Sequence, residues 1–194
     1  MTQSNRLYKW LLPDGRTAVQ QKTWPVAVGE WTPRENPVLC RSGWHGMREK
    51  DVLTHLPAQL GAQLYVVEAK GIIHGDHKFA AQTMRLTECI GTTDESNLRL
   101  FACDMAEDVL DIFESKRPND TRPRDAIVVA RRFATGEATR GELDAAWAAA
   151  RAAAGAAAGA AAWAAAWAAT RAAAGDAAWE RYSNWLVVRL ESGY

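Results

Sequence analysis

Between Trp147 and Trp179 a bulky, charged or helix-weakening residue falls at every fourth position, and alanine fills most of the gaps. The series is Trp147, Arg151, Gly155, Gly159, Trp163, Trp167, Arg171, Gly175 and Trp179. Alanine is the strongest helix former, so the tract is helical in intrinsic preference. A four-residue step overshoots one helical turn by about 40°, so these positions spiral around a straight helix and never share one face. An unbroken helix over 142–190 would also extend roughly 70 Å, too long for a compact domain of this size. The expectation is a tract broken near Gly155–Gly159 and near Gly175, its short helices packed closely through alanine and glycine with tryptophan wedged between. Residues 152–169 are long enough to span a bilayer. They are alanine and glycine rather than leucine or isoleucine, with Arg151 and Arg171 at the ends, so a packed water-soluble helix is the better reading.

The first half follows another rule. Leu7 to Leu12 read as a strand, and Pro13-Asp14-Gly15 as the turn that ends it. The stretch 64–69 is the clearest strand and 84–90 a second. Val52, Leu53 and Leu56 have helical spacing and stop at Pro57. Residues 41–46 read as a tight turn, and Trp24-Pro25, Trp31 and Pro33 mark an aromatic-rich edge or loop. The small polar run 91–97 is the candidate boundary. Beyond it an amphipathic helix is expected over 98–113, then a helix over 126–134 capped by Asp125 and ended by Gly136. The fold class is therefore α+β: a small mixed or antiparallel β-sheet domain over 1–94, followed by an all-α, Ala/Trp-rich helical bundle over 98–194.

Charge excludes some functions. Lys+Arg and Asp+Glu both number 23, and the balance holds on either side of Asn97. No field exists to draw in duplex nucleic acid or an anionic membrane, so neither is expected as a direct partner. Three cysteines, Cys40, Cys89 and Cys103, form no disulfide framework and suit a reducing compartment. The first ten residues have no apolar core of a secretion signal, which points to the bacterial cytoplasm.

Catalytic signals are weak. Cys40, His45, His74 and His77 have spacings that could bite a zinc ion, but the spacing is generic and structural roles explain it better, so neither metal nor cofactor is expected. Cys40 with His45 or His55 would need a third orienting group. Glu68 and Glu88 lie on strands and more often face solvent than each other. No phosphate loop is present. A possible ligand pocket gathers Cys40, Trp44, His45 and Lys78, where aromatic and imidazole rings would stack a base and the lysine meet a phosphate. In the second half Asp104, Asp108 and Asp111 make an acidic strip. Arg122-Pro123-Arg124 holds two guanidinium groups ahead of a helix start. With Trp163, Trp167 and Arg171 they form the candidate protein interface, since tryptophan and arginine dominate binding hot spots.

Two resemblances follow from these residues. The run 38–45 (Val-Leu-Cys-Arg-Ser-Gly-Trp-His), then Val52-Leu53, 65–69 and 78–81, resembles an uncharacterised domain common in phage and prophage proteins. That resemblance implies origin more than activity. The run 103–106, the turn 122–127, Gly136-Glu137 and the alanine tract are similar to the Imm-5-like immunity proteins. This implies a protein that neutralises a toxin by one-to-one binding. A phage setting implies instead an inhibitor of a bacterial defence system, such as an anti-CRISPR. The expected function is thus a non-enzymatic inhibitor of a protein effector. The alternatives are a nucleotide-sequestering protein or small enzyme using the N-terminal pocket, and an oligomeric component built from the alanine bundle.

Overall fold

The computed structural model describes residues 6–18, 20–157 and 178–192. Four strands, β1 (Leu7–Leu11), β2 (Trp44–Arg48), β3 (Gln63–His74) and β4 (Phe79–Thr92), form a closed antiparallel barrel in the order β1-β2-β4-β3. Closing so few strands demands strong bending. The long β3–β4 hairpin supplies it, with register shifts at Leu64/Tyr65 and Val66/Val67, and such bulges bend and twist a strand locally.

The short β2 covers only the Phe79–Ala81 end of β4. The rest of that edge is covered by irregular chain. The N–H groups of Gly29, Thr32 and Glu35 donate to the carbonyls of Leu86, Met84 and Gln82. Backbone donors in step with every second residue of β4 extend the wall without a regular strand, and Pro33 sits where it owes no ladder bond.

Alternation along the strands fills the barrel with Leu11, Trp44, Tyr65, Val67, Phe79, Ala81, Met84 and Leu86. The opposite faces of β1 and β3 are buried too, through Tyr8, Trp10 and Leu64. Residues 49–56 were expected to form one helix. They form two single 3-10 turns, Glu49–Asp51 and Leu53–His55, meeting at the buried Val52. The Val52 carbonyl accepts the Trp10 indole N–H at 3.1 Å, so it is committed to the barrel.

The chain separates into two compact units, one holding the residues up to Asp94 together with helix 178–192, the other starting at Glu95. The terminal helix was grouped by sequence with the helical half. It joins the barrel unit because Leu186, Val187 and Leu190 are buried and because Ser183 is bonded to the 3-10 region. The Ser183 hydroxyl donates to the Lys50 carbonyl at 2.9 Å and accepts the Leu53 N–H at 3.2 Å. Leu190 lies against Gly91, where an added Cβ would come within 2.7 Å of it.

The second unit contains α1 (Glu95–Asp108), α2 (Leu110–Glu114), α3 (Arg122–Ala134) and α4 (Arg140–Ala157). The amphipathic helix foreseen over 98–113 breaks at Val109, whose φ of −107° and ψ of 1° lie outside the helical well. Helix α3 starts earlier than foreseen. Pro123 occupies its first turn, a position where the missing N–H leaves nothing unsatisfied. Asp125 is then inside the helix and accepts the Thr121 hydroxyl at 2.9 Å. Gly136, at φ 80°, ends α3 as foreseen. Helix α4 continues through Gly155. Gly159 and Gly175, the other foreseen breaks, lie outside the described residues. Among the described residues, no helix is long and apolar enough to cross a membrane.

Candidate functional site

Strands β1 and β2 pair only at Leu7–Arg48 and Tyr8–Met47. Beyond Tyr8 they diverge, and a cavity of about 120 Å³ opens between them. Gly46 makes the approach before this divergence possible: a Cβ there would sit 2.5 Å from the Phe79 ring and 2.9 Å from the Tyr8 carbonyl. Lys9 bridges the gap. Its Nζ donates to the His45 carbonyl at 2.6 Å, a side-chain bond standing where the ladder has stopped.

Lys9 is 4% exposed. Burial, reinforced by the nearby charge of Lys22, pulls its amine down to about 7, because a low-dielectric interior disfavours the ammonium. Lys22 is itself paired with Glu35 and stacked over the Trp44 ring at 3.9 Å. The Trp24 ring centroid lies 5.5 Å from Lys9 Nζ.

His45 is held from one side only. Its Nε2 accepts the Cys40 N–H at 3.1 Å, which puts the proton of the neutral ring on Nδ1. That Nδ1 is buried without a hydrogen-bond partner. Burial, with Lys9 and Lys78 nearby, lowers the His45 pKa. Cys40 takes a left-handed backbone, φ 63°, uncommon for a non-glycine residue. Gly43 at φ 85° then returns the chain into β2.

Lys78 reaches the cavity from the β3–β4 hairpin, which is anchored twice. His77 Nδ1 lies 3.1 Å from the buried Asp51 carboxylate, and His55 Nε2 donates to the His77 carbonyl at 2.9 Å. Cys40, His45 and Lys78 are therefore brought together as the sequence grouped them, and Lys9 and His55 join them. Trp44 does not line the cavity. Being adjacent to His45 on a strand, it points to the opposite face, into the barrel core, with its indole N–H donating to the Pro33 carbonyl at 2.8 Å.

The possible zinc ligands separate. His74 Nδ1 meets Arg48 at 3.1 Å and His77 meets Asp51. Among the described residues no three metal-ligating side chains cluster. Glu68 pairs with Arg85 at 2.8 Å.

In the helical unit the acidic strip and the arginines lock onto each other. Arg131 on α3 bonds Asp104 at 2.8 Å and Glu107 at 2.6 Å on α1. Arg124 grips Glu114 through two nitrogens, at 2.8 and 2.7 Å, and Arg122 holds Asp120 in the same bidentate way. These bonds depress the Glu114 and Asp120 carboxylates. Asp111 opens α2 and adds to the field on Arg124. Asp108 ends α1, on the strip that carries Asp104. Trp163, Trp167 and Arg171 lie outside the described residues. Of the four-residue repeat, Trp147 is 60% exposed, with the Arg151 guanidinium 5.3 Å from its ring centroid.

No curated protein and no solved structure matches the chain significantly. Residues 88–177, from the end of β4 through the helical unit, match the family model described as Imm-5 like putative immunity protein.

Proposed function

We propose that the chain is an immunity-type inhibitor, which occupies a toxin-like protein effector through its helical unit and performs no reaction on it. The family match over 88–177 carries this reading. The geometry of the helical unit supports it. Its charged side chains tie α1 and α2 to α3 and make a frame, not a reactive centre. What it offers to solvent is the currency of interfaces: Trp147 stacked under Arg151, and the exposed Ile112 and Val128.

Arg122 and Arg124 serve in this reading as half-exposed anchors. Each guanidinium has five N–H donors, and the internal carboxylate takes two of them. The remainder face outward, pre-oriented for acidic groups of the effector. Trp163, Trp167 and Arg171 continue the same repeat and belong to the same proposed interface. The encounter is placed in the bacterial cytoplasm, and the effector is either a toxin or a defence-system protein.

The test is stoichiometric capture of an effector by the full chain, followed by calorimetric titration of Trp147→Ala/Arg151→Ala. A loss of about 30-fold or more, about 2 kcal/mol, marks a hot spot, with thermal unfolding unchanged because both side chains are exposed. The identity of the captured protein decides between toxin and defence effector. Unchanged affinity of the double variant refutes the assigned surface, and failure to capture any stoichiometric protein refutes the inhibitor reading.

A further inference from the structure

We propose that the cavity between β1 and β2 binds a small oxyanion, a phosphate or carboxylate group, seated on Lys9 and closed over by Lys78. The inference concerns the barrel unit and does not rest on the inhibitor reading.

Three observations carry it. First, the ammonium of Lys9 has three donors, yet among the described residues it meets a single acceptor, the His45 carbonyl. A nearly fully buried cation with open donors, bordering an open cavity, lacks its counter-charge, and buried charges are otherwise paired. Second, the described lining contributes two lysines and two histidines and no carboxylate. Among the described residues the nearby acids are already engaged, Glu35 by Lys22 and the Gly43 N–H and Asp51 by His77. Third, the donors are held in place before any ligand arrives. His45 is fixed by the Cys40 N–H at its Nε2. The Lys78 hairpin is fixed through His77–Asp51 and His55.

An oxyanion supplies what these groups lack. It accepts from Lys9 Nζ and supplies the counter-charge that the lysines lining the cavity lack among the described residues. Trp10 and Met47 border the same space, so the remainder of the ligand is small and at least partly apolar. The titratable groups around Lys9 are Lys22, paired with Glu35, from the loops, His45 on β2, Lys78 on the cavity lining, and Tyr65 across the β1–β3 ladder. Burial favours the neutral forms of Lys9 and His45.

The experiment titrates the full isotope-labelled chain with sodium sulfate, whose charge is fixed across neutral pH, at constant ionic strength. Parallel titrations use inorganic phosphate and acetate. Saturable amide shifts at Cys40, His45, Gly46 and Lys78 are expected, with a Kd on the order of 1 mM. Lys9→Met should abolish them and Lys78→Ala weaken binding at least threefold. From about pH 7 to 9 sulfate affinity should fall about tenfold per unit as Lys9 loses its proton. Stronger binding of acetate than sulfate marks a carboxylate ligand, and the reverse marks a phosphate. Absence of saturation by all three ions at about 50 mM, far above that Kd, overturns the proposal. Unchanged sulfate affinity in Lys9→Met also overturns it. If that variant fails to fold, unchanged affinity in Lys78→Ala does so. Trp147→Ala/Arg151→Ala should bind sulfate normally, so failure of the inhibitor reading and failure of this one are separable.

Discussion

Replacing Lys9 with methionine keeps an unbranched side chain one atom shorter and removes its charge, and the outcome should reverse sign with pH. The fall of the amine from 10.5 to about 7 on folding means that folding disfavours the ammonium by about 5 kcal/mol. Below pH 7 both states are protonated and the folded chain bears that whole penalty. Between about pH 7 and 10 the unfolded chain holds a proton that the folded chain has released, so stability rises by about 1.4 kcal/mol per pH unit. Methionine abolishes this slope and leaves the His45 carbonyl without its donor, a loss of about 1–3 kcal/mol. The variant should therefore be more stable than the parent by about 2–4 kcal/mol near pH 6, and less stable by up to about 1.6 kcal/mol near pH 9.5, where about 1.4 kcal/mol of the penalty persists. Above that range Tyr8 intervenes. Burial, with Glu49 beside it, pushes its phenol up to about 12. The unfolded chain then releases a proton that the folded chain keeps, and stability falls. Urea midpoints of both proteins near pH 6, 8 and 9.5, in chloride without added oxyanion, provide the assay. A parent midpoint flat or falling from pH 7 to 9.5, or a variant equally destabilised at both ends, refutes a buried, desolvated Lys9.

Two glycine substitutions separate contact from conformation. Gly46→Ala places a Cβ against the Phe79 ring and the Tyr8 carbonyl and should destabilise by about 3 kcal/mol or more. Gly136→Ala meets no atom within 4 Å but keeps φ at 80°, and should cost only about 1–2 kcal/mol; chemical denaturation compares the two. Ser183→Ala strands the Leu53 N–H and the Lys50 carbonyl and should cost about 1–3 kcal/mol, with faster hydrogen exchange at Leu53. Arg124→Gln removes a bidentate bond between exposed groups, and its melting temperature should match the parent's, since exposed ion pairs contribute little.

Strands β1, β3 and β4 are legible in the sequence because each carries a run rich in apolar residues, buried on both faces in β1 and at the start of β3. Strand β2 is not. Trp-His-Gly-Met-Arg contains a glycine and a histidine, and only pairing with residues about 35 positions on makes it a strand. The segment containing Gly29, Thr32 and Glu35 is invisible for the same reason, since its contribution is three N–H groups and no side-chain pattern. Residues 49–56 show how spacing misleads: Val52, Leu53 and Leu56 have helical intervals, but the local bonds close as 3-10 turns, with the Val52 carbonyl shared between the His55 N–H and the Trp10 indole. The pocket was half legible. Cys40 and His45 are neighbours in sequence, and the hairpin lysine could be guessed. Trp44 is not legible as core because residues 41–46 have the composition of a turn, whereas strand alternation sends it inward. Lys9 carried no signal at all. A lysine within an apolar strand reads as a solvent-facing position, and only the divergence of β1 from β2 gives it a function.

The terminal helix that buries Leu186 and Leu190 belongs to the barrel unit, so the helical unit is an insertion within the sequence of another folding unit. The barrel strands are complete at Thr92, yet Ser183 and Leu190 are made much later. At about 5–20 residues per second, roughly 4–20 s separate the synthesis of β4 from that of its covering helix. During that interval on the ribosome the surface around Gly91 and Val52 is bare. The loop-closure entropy of joining the two pieces grows only with the logarithm of the insert's length. An exchanged, lengthened or shortened insert should therefore weaken the barrel little at equilibrium while lengthening or shortening its vulnerable period in the cell, so that chaperone dependence, more than melting temperature, registers the change.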